Sequence, residues 1–179
     1  MQKILMVKIM VNTDLIILGM IYLKPSHGYQ LKKNIKESFG NPYFKLNNNV
    51  LYPTLARLEK ENFIEGKEMP GEKMNKKVYH ITEEGEKKLL EMVATPVKPD
   101  IDDFEFKVQA VFFDLIPKEK RLKVIKPLHE AKLQLYQETL KKKEKFSQYM
   151  STVSLIVLEY GIKEIENSLE FYKKLMGIE

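Results

Sequence analysis

The spacing at which apolar residues recur changes from helical to strand-like near residue 63, and that change constrains the fold more than any other feature. Before it, three segments repeat apolar residues at helical spacing, over residues 15–23, 26–39 and 50–61. After it, two short β-prone runs, residues 63–68 and 77–81, flank the turn signal Pro70-Gly71. The pattern therefore predicts three helices followed by a two-stranded hairpin.

Polar residues mark the ends of these helices. Candidate N-caps precede the first four helices, at Asn12 or Thr13, at Ser26, at residues 47–49 and at Thr82. Asn62 can take the left-handed position that ends the third helix. The fourth helix is expected to run from Thr82 to about Val93.

The second half of the chain predicts helices only. A stiff linker with two prolines, residues 95–100, sets the predicted boundary between a domain over residues 1–95 and a domain over residues 96–179. A helix is expected over residues 104–116, and Pro117 opens a long helix that Pro127 can kink. Ser151 can cap the last helix, whose apolar residues follow a heptad seam.

Composition excludes several classes of site. The 179 residues contain no cysteine and three widely separated histidines, which argues against a metal centre and a cysteine nucleophile, and no cofactor is expected. No apolar run reaches membrane-spanning length and the start lacks a cleavage signal, so we expect a cytoplasmic protein without a membrane partner. Met1, Met6 and Met10 are alternative starts. The formal net charge of +5 permits nucleic-acid binding.

Three helices followed by a hairpin is the order of a winged helix-turn-helix domain, with the third helix for recognition and the hairpin as the wing. Four stretches, in this order and spacing, resemble the PadR family of bacterial and archaeal transcriptional regulators: Ile17-Leu18-Gly19, His27-Gly28-Tyr29, residues 51–59 (LYPTLARLE) and residues 79–85 (YHITEEG). Residues 112–115 and the two long helices resemble the longer-tailed branch of that family. The expected fold is mostly α with a small β-hairpin wing, an N-terminal winged helix-turn-helix domain and a C-terminal antiparallel helical dimerisation domain.

The resemblance implies a homodimeric repressor that binds a pseudo-palindromic operator in double-stranded DNA. It also implies release from DNA by a small aromatic or drug-like effector, as in some members of the family. The alternative is a winged-helix protein-interaction adaptor without specific DNA binding. We do not expect an enzyme, because the sequence contains no nucleophile–base pair, phosphate-binding loop or metal cluster.

The predicted DNA-binding residues lie on the second and third helices and on the hairpin. Where many relatives carry a stretch like Ser-Pro-Gly-Thr, this chain has Asn47-Asn48-Asn49-Val50, so the operator sequence cannot be transferred. Each candidate has a structural alternative: a helix cap for the asparagines, a core position for Tyr52, and a solvated surface for the cations. The predicted set is Tyr29, Lys45, Asn47, Asn48, Asn49, Tyr52, Arg57, Lys73, Lys76 and Lys77.

The predicted dimerisation residues are apolar and lie in the C-terminal half. The aromatic cluster over residues 104–113 fits either a dimer core or an effector pocket, with a site between the two domains as the default for a ligand. The seam of the last helix fits packing within the chain or between subunits. The predicted dimer set is Phe112, Leu155, Leu158, Ile162, Ile165, Leu169 and Tyr172.

Overall fold

A computed structural model describes residues 12–39, 46–69, 76–98 and 103–177. The first helices are α1 (Thr13–Leu23), α2 (Gly28–Phe39), α3 (Asn48–Lys60) and α4 (Glu83–Ala94), and the strands are β1 (Ser26–His27), β2 (Ile64–Met69) and β3 (Lys76–Ile81). Helices α5 (Asp103–Ala110), α6 (Lys118–Phe146) and α7 (Thr152–Met176) follow, with short 3-10 turns at Phe113–Leu115 and Ser147–Tyr149. The predicted fold class, mostly helical with a small antiparallel sheet, is confirmed.

Most of the predicted caps are present. Asn12 Oδ1 accepts a hydrogen bond from the Leu15 amide at 3.3 Å. Thr82 Oγ1 accepts one from the Gly85 amide at 3.0 Å, and Ser151 Oγ accepts one from the Ser154 amide at 3.2 Å. Each bond satisfies an amide in the first turn of a helix that has no partner within that helix.

The predicted cap at Ser26 is wrong. Ser26 and His27 form strand β1, which pairs antiparallel with β3 through the partners Ser26–Tyr79 and His27–Val78. His27 takes the capping role, because its Nδ1 accepts a hydrogen bond from the Gln30 amide at 3.2 Å. The sheet therefore has three strands in the order β1-β3-β2, with the wing hairpin tied to the start of α2.

The core of the first compact unit forms around α1. This helix is buried along most of its length, from Leu15 to Ile21, whereas α2, α3 and α4 each bury a single stripe. The stripes on these three helices are made of Leu31 and Ile35, of Leu51, Leu55 and Leu58, and of Leu89 and Val93. Helices α2 and α3 and strand β3 contact α1, and each of the amphipathic helices turns one apolar face inward.

Residues 103–116 pack with the first compact unit, although they follow the predicted linker. Gln109 Nε2 donates hydrogen bonds to the carbonyl oxygens of Met92 (3.2 Å) and Val93 (2.9 Å) at the end of α4. Phe112 is 1% exposed, with its ring against Gly19 and 6.5 Å from the ring of Phe39. Phe112, predicted at the dimer interface, is a core residue of this unit.

The second unit contains the helical hairpin of α6 and α7. Helix α6 continues through Pro127 as one helix of 29 residues. Two contacts fix the antiparallel pairing: Tyr136 Oη to Glu166 Oε1 at 2.9 Å, and Lys143 Nζ to Glu159 Oε1 at 2.7 Å. Within the described ranges, no helix is long and apolar enough to cross a membrane.

The heptad seam of α7 is largely used within the chain. Ile162 lies one helical turn from both Glu159 and Glu166, on the side of α7 that contacts α6. Ile162, Leu169 and Tyr172 are buried, whereas Leu155, Leu158 and Ile165 are half-buried. Three of the six predicted seam residues are therefore buried within one chain, and the other three keep part of their surface exposed.

Candidate nucleic-acid interface

The first turn of α3 presents asparagine side chains that the helix does not need for capping. Asn47 occupies the N-cap position, and its backbone oxygen accepts hydrogen bonds from the amides of Val50 and Leu51, both at 3.0 Å. Its side chain makes no capping hydrogen bond. Asn48 and Asn49 are also exposed. The structural alternative for Asn47, a side-chain helix cap, is therefore absent.

The outer face of α3 is continuous. Leu51, Leu55 and Leu58 point into the core, and a second set of residues at helical spacing faces solvent. This exposed set is Asn49, Tyr52, Pro53, Ala56 and Lys60. Pro53 and Ala56 were missing from the sequence prediction. Their small apolar side chains are of the kind that contacts thymine methyl groups in a major groove.

Two exposed tyrosines, one on α2 and one on α3, belong to this surface. Tyr29, at the start of α2, is 72% exposed, and its ring stacks on His27 with 6.4 Å between centroids. Tyr52 is 48% exposed and lies over Gly28, where an added Cβ would come within 2.8 Å of Tyr52 Cε1. Glycine at position 28 therefore leaves the space in which the ring of Tyr52 sits.

Helix α2 contributes a cationic cleft that the sequence prediction missed. Lys32 Nζ donates a hydrogen bond to Asn48 Oδ1 at 2.7 Å, which joins α2 to the first turn of α3. Lys33 lies 3.8 Å from Glu37, and Lys36 has no ion pair with any described residue. The cleft has a volume of about 540 Å³, and its lining includes Tyr29 as well as the three lysines and Asn48. The signal in the sequence was Lys32 and Lys36, four residues apart on one helix.

Arg57, predicted to contact DNA, is paired with carboxylates. Its guanidinium lies 2.5 Å from Asp14 Oδ1 and 2.9 Å from Glu61 Oε2. The hydrogen bond to Asp14 is the main cause of a raised pKa for Arg57. Arg57 thus ties α3 to α1, and we leave it out of the candidate interface because its charge is already neutralised.

Lys77, predicted on the wing, is also paired. Its ammonium lies 2.7 Å from Glu59 on α3 and 5.7 Å from the centre of the Tyr79 ring. The hydrogen bond to Glu59 is the main cause of a raised pKa for Lys77. The backbone of Lys76 lies in β3, whereas Lys45 and Lys73 fall outside the described residues.

The described part of the chain has no group of three or more His, Asp or Glu side chains that could hold a metal ion. His27 uses one ring nitrogen to cap α2. The geometry therefore offers exposed amides, aromatic rings and cations on one face of two adjacent helices. Those groups suit contacts to base edges and phosphates.

This chain was compared with protein families, curated proteins and solved structures. Residues 17–91 match the transcriptional regulator PadR-like family. No match was found among the curated proteins. The chain is 32% identical to a transcriptional regulator from Clostridium thermocellum, over 44% of this chain and 76% of that one, with a TM-score of 0.41.

Two further solved structures match along almost the full length. A PadR-like transcriptional regulator from Bacillus cereus is 29% identical, over 93% of this chain and 95% of that one, with a TM-score of 0.43. PadR of Bacillus subtilis, in complex with operator DNA, is 19% identical, over 93% of this chain and 96% of that one, with a TM-score of 0.44. The family match begins within α1, ends within α4, and includes α2, α3 and the three strands. Residues 17–91 of the chain form a domain of the PadR-like family of transcriptional regulators.

Proposed function

We propose that this chain is a homodimeric transcriptional repressor that binds a pseudo-palindromic operator in double-stranded DNA. In this proposal the first turn of α3 enters the major groove and reads base edges. The two recognition helices of the dimer then contact half-sites one helical turn apart, about 34 Å.

The observation that carries the proposal is that the side chain of Asn47, at the start of α3, makes no capping hydrogen bond. Asn47 caps the helix through its backbone, so its side-chain amide remains available. Asparagine offers a donor and an acceptor in one plane, and the pair matches the N6 and N7 edge of adenine. Asn49, two residues further on, is also exposed.

The lysines of α2 supply the contacts to the DNA backbone in this proposal. Lys36 is exposed and carries no ion pair with a described residue, so a phosphate does not have to displace a carboxylate. Lys33 is held only loosely, at 3.8 Å from Glu37. Contacts of this kind give affinity without sequence preference and make binding dependent on salt.

A gel shift on the DNA upstream of the gene tests base reading. The double variant Asn47→Ala/Asn49→Ala should lose specific binding by at least tenfold, because two base contacts are each worth about 1–3 kcal/mol. Asn167→Ala, an exposed asparagine on α7, is the matched control and should bind as the parent does. Unchanged affinity of the double variant would contradict the groove assignment.

Backbone contact is tested separately from base reading. Lys36→Gln should weaken binding to specific and unrelated DNA by the same factor and reduce the salt slope by about 0.9 for each phosphate that is no longer neutralised. Lys142→Gln on α6 removes the same charge from an exposed site and should leave the slope unchanged. A weakening confined to operator DNA would argue against a phosphate contact by Lys36.

The proposed dimer contact lies on a different face of α7 from the predicted seam. Four apolar residues of its first half recur at helical spacing and are exposed by 59% or more: Val153, Ile156, Val157 and Tyr160. Contiguous apolar surface of this kind marks an interaction site in a folded protein. A two-fold symmetric contact would place the same stripe of a second copy against it.

Molar mass in solution tests this interface. Val157→Glu should convert the dimer to a monomer, because the introduced carboxylate would be buried without a partner. Val111→Glu is the matched control, since Val111 in the first unit is 58% exposed against 65% for Val157. A dimer that persists in Val157→Glu would place the contact elsewhere.

Relief of repression by a small aromatic or drug-like effector is part of the proposal and comes from the family resemblance. An effector of this type acts by binding better to a form of the dimer that cannot hold DNA. Addition of small aromatic acids to a preformed protein–DNA complex should then release the DNA. Complexes that survive every acid at millimolar concentration would count against effector control by this class.

A further inference from the structure

One carboxylate connects the third helix to both strands of the wing. Both carboxylate oxygens of Glu59 on α3 lie 2.7 Å from the ammonium of Lys77 on β3. Glu59 Oε1 also accepts a hydrogen bond from the amide of Gly66 on β2 at 3.1 Å. The side chains of Glu59 and Lys77 are 31% and 42% exposed, so the pair is partly shielded from water.

Gly66 makes this connection possible. Gly66 lies opposite Tyr79 in the hairpin, and Lys77 is two residues from Tyr79 on the same face of the sheet. An added Cβ at position 66 would lie 1.9 Å from Lys77 Cε and 2.8 Å from Glu59 Oε1. Glycine at position 66 therefore leaves open the path by which the lysine chain crosses β2 and reaches the carboxylate.

The pair has two consequences for a DNA-binding wing. Lys77 is cationic, but its charge is already matched by Glu59, and a phosphate would have to compete with a bidentate carboxylate. The same contacts also fix the hairpin against α3, because Glu59 holds a side chain of one strand and a backbone amide of the other. By contrast, Lys36 on α2 can bind a phosphate without leaving a carboxylate, because it has no ion pair with any described residue.

We infer that Glu59 is a positioning residue that keeps Lys77 away from the DNA backbone and thereby limits binding to DNA of unrelated sequence. The inference depends on the proposed DNA-binding function. Removal of the carboxylate would free one ammonium per subunit, on the wing and next to the recognition helix. One new phosphate contact raises affinity for any DNA sequence and steepens its salt dependence.

Salt titrations of full-length protein on unrelated duplex DNA test the inference. In Glu59→Gln the slope of log affinity against log salt should steepen by about 0.9 for each DNA-binding domain engaged. Relative to the parent, this variant then gains about 3.5-fold more affinity at 50 mM than at 200 mM salt for each such domain. The double variant Glu59→Gln/Lys77→Gln should return to the slope of the parent, because the freed ammonium is gone.

Two further variants separate this role from general charge effects. Glu68→Gln removes the same charge from β2, opposite Lys77, and leaves the Glu59 pair in place, so the slope should not change. Lys77→Gln alone should also keep the parent slope, because Lys77 makes no phosphate contact while Glu59 holds it. This second variant carries the test if Glu59→Gln fails to fold by circular dichroism.

The outcomes are distinct. A parent protein that binds DNA with a salt slope that Glu59→Gln does not alter would overturn the inference and leave the proposed function intact. A shallower slope in Lys77→Gln would also overturn it, since Lys77 would then contact DNA in the parent. A parent that binds no DNA at any salt concentration would refute the proposed function itself.

Discussion

Replacement of Gly19 by alanine tests whether the ring of Phe112 packs against α1. The test depends on whether the free energy of unfolding rises or falls. Gly19 lies inside α1, where alanine is normally the better residue by about 0.5–1 kcal/mol. An added Cβ at this position would lie 2.3 Å from Phe112 Cζ and 2.4 Å from Cε1. Phe112 is 1% exposed, so its ring has no open space into which it can move.

The magnitude follows from these two opposing effects. Overpacking of a filled core costs about 1–3 kcal/mol, which exceeds the gain in helix propensity over most of that range. Gly19→Ala should therefore lower the free energy of unfolding. In a Phe112→Leu background the three ring atoms nearest to the added methyl are absent, and Gly19→Ala should then stabilise the protein by about 0.5–1 kcal/mol.

Urea unfolding followed by far-UV circular dichroism gives both values. A change of about 2 kcal/mol moves the midpoint by roughly 1 M. Phe112→Leu should itself cost less than the roughly 3–5 kcal/mol expected for truncation of a buried phenylalanine to alanine. If Gly19→Ala stabilises the parent, or if its effect is the same in both backgrounds, Phe112 does not pack on Gly19. Loss of the dimer in Phe112→Leu, at a protein concentration at which the parent is dimeric, would return Phe112 to a dimer interface.

Three more outcomes follow from contacts within one chain. Thr82→Ala should lower stability by about 1 kcal/mol, because the cap of α4 is removed, and a thermal melt without any shift would contradict this. Arg57→Met should change DNA affinity less than twofold. It should change the free energy of unfolding by less than about 1 kcal/mol, because the ion pair with Asp14 is exposed. A large drop in DNA affinity would restore Arg57 to the interface. The Lys163 ammonium and then the Tyr136 hydroxyl hold the pKa of Glu166 below its usual value. The stability from this lowered pKa is present above the usual glutamate pKa and is lost as pH falls through the lowered pKa. Between pH 7 and pH 3, the melting temperature of Tyr136→Phe should therefore fall less than that of the parent.

The sequence predicted those elements whose signal is local. Helix α7 was predicted from its heptad seam and from Ser151, and the structure has both the helix and the cap. The left-handed residue after α3 was predicted at Asn62, and its φ is 60°. Spacing and capping depend on residues within one or two turns, which a single sequence contains in full.

The elements that the sequence missed depend on distant partners. Strand β1 has two residues and no period of its own, and it exists because β3 pairs with it. Lys77 was predicted to contact DNA because its carboxylate, Glu59, is 18 residues away along the chain. Arg57 has one partner that spacing indicates, Glu61 four residues on, and one that it does not, Asp14, which is 43 residues away. Lys32 and Lys36 were not singled out in the sequence, and they line a cleft only because α3 lies beside α2. Charge pairing across a fold cannot be read from spacing alone.

The pairing of β1 with β3 also sets an expected order of folding. The hairpin of β2 and β3 closes a short loop, whereas β1 meets β3 only after about 50 intervening residues have been organised. We therefore expect the hairpin to form early and β1 to join after α1 and α2 have packed. Late pairing of β1 with β3 would delay completion of the winged domain on a nascent chain. Pulsed hydrogen exchange should detect it as late protection of the amides that join residues 26 and 27 to β3.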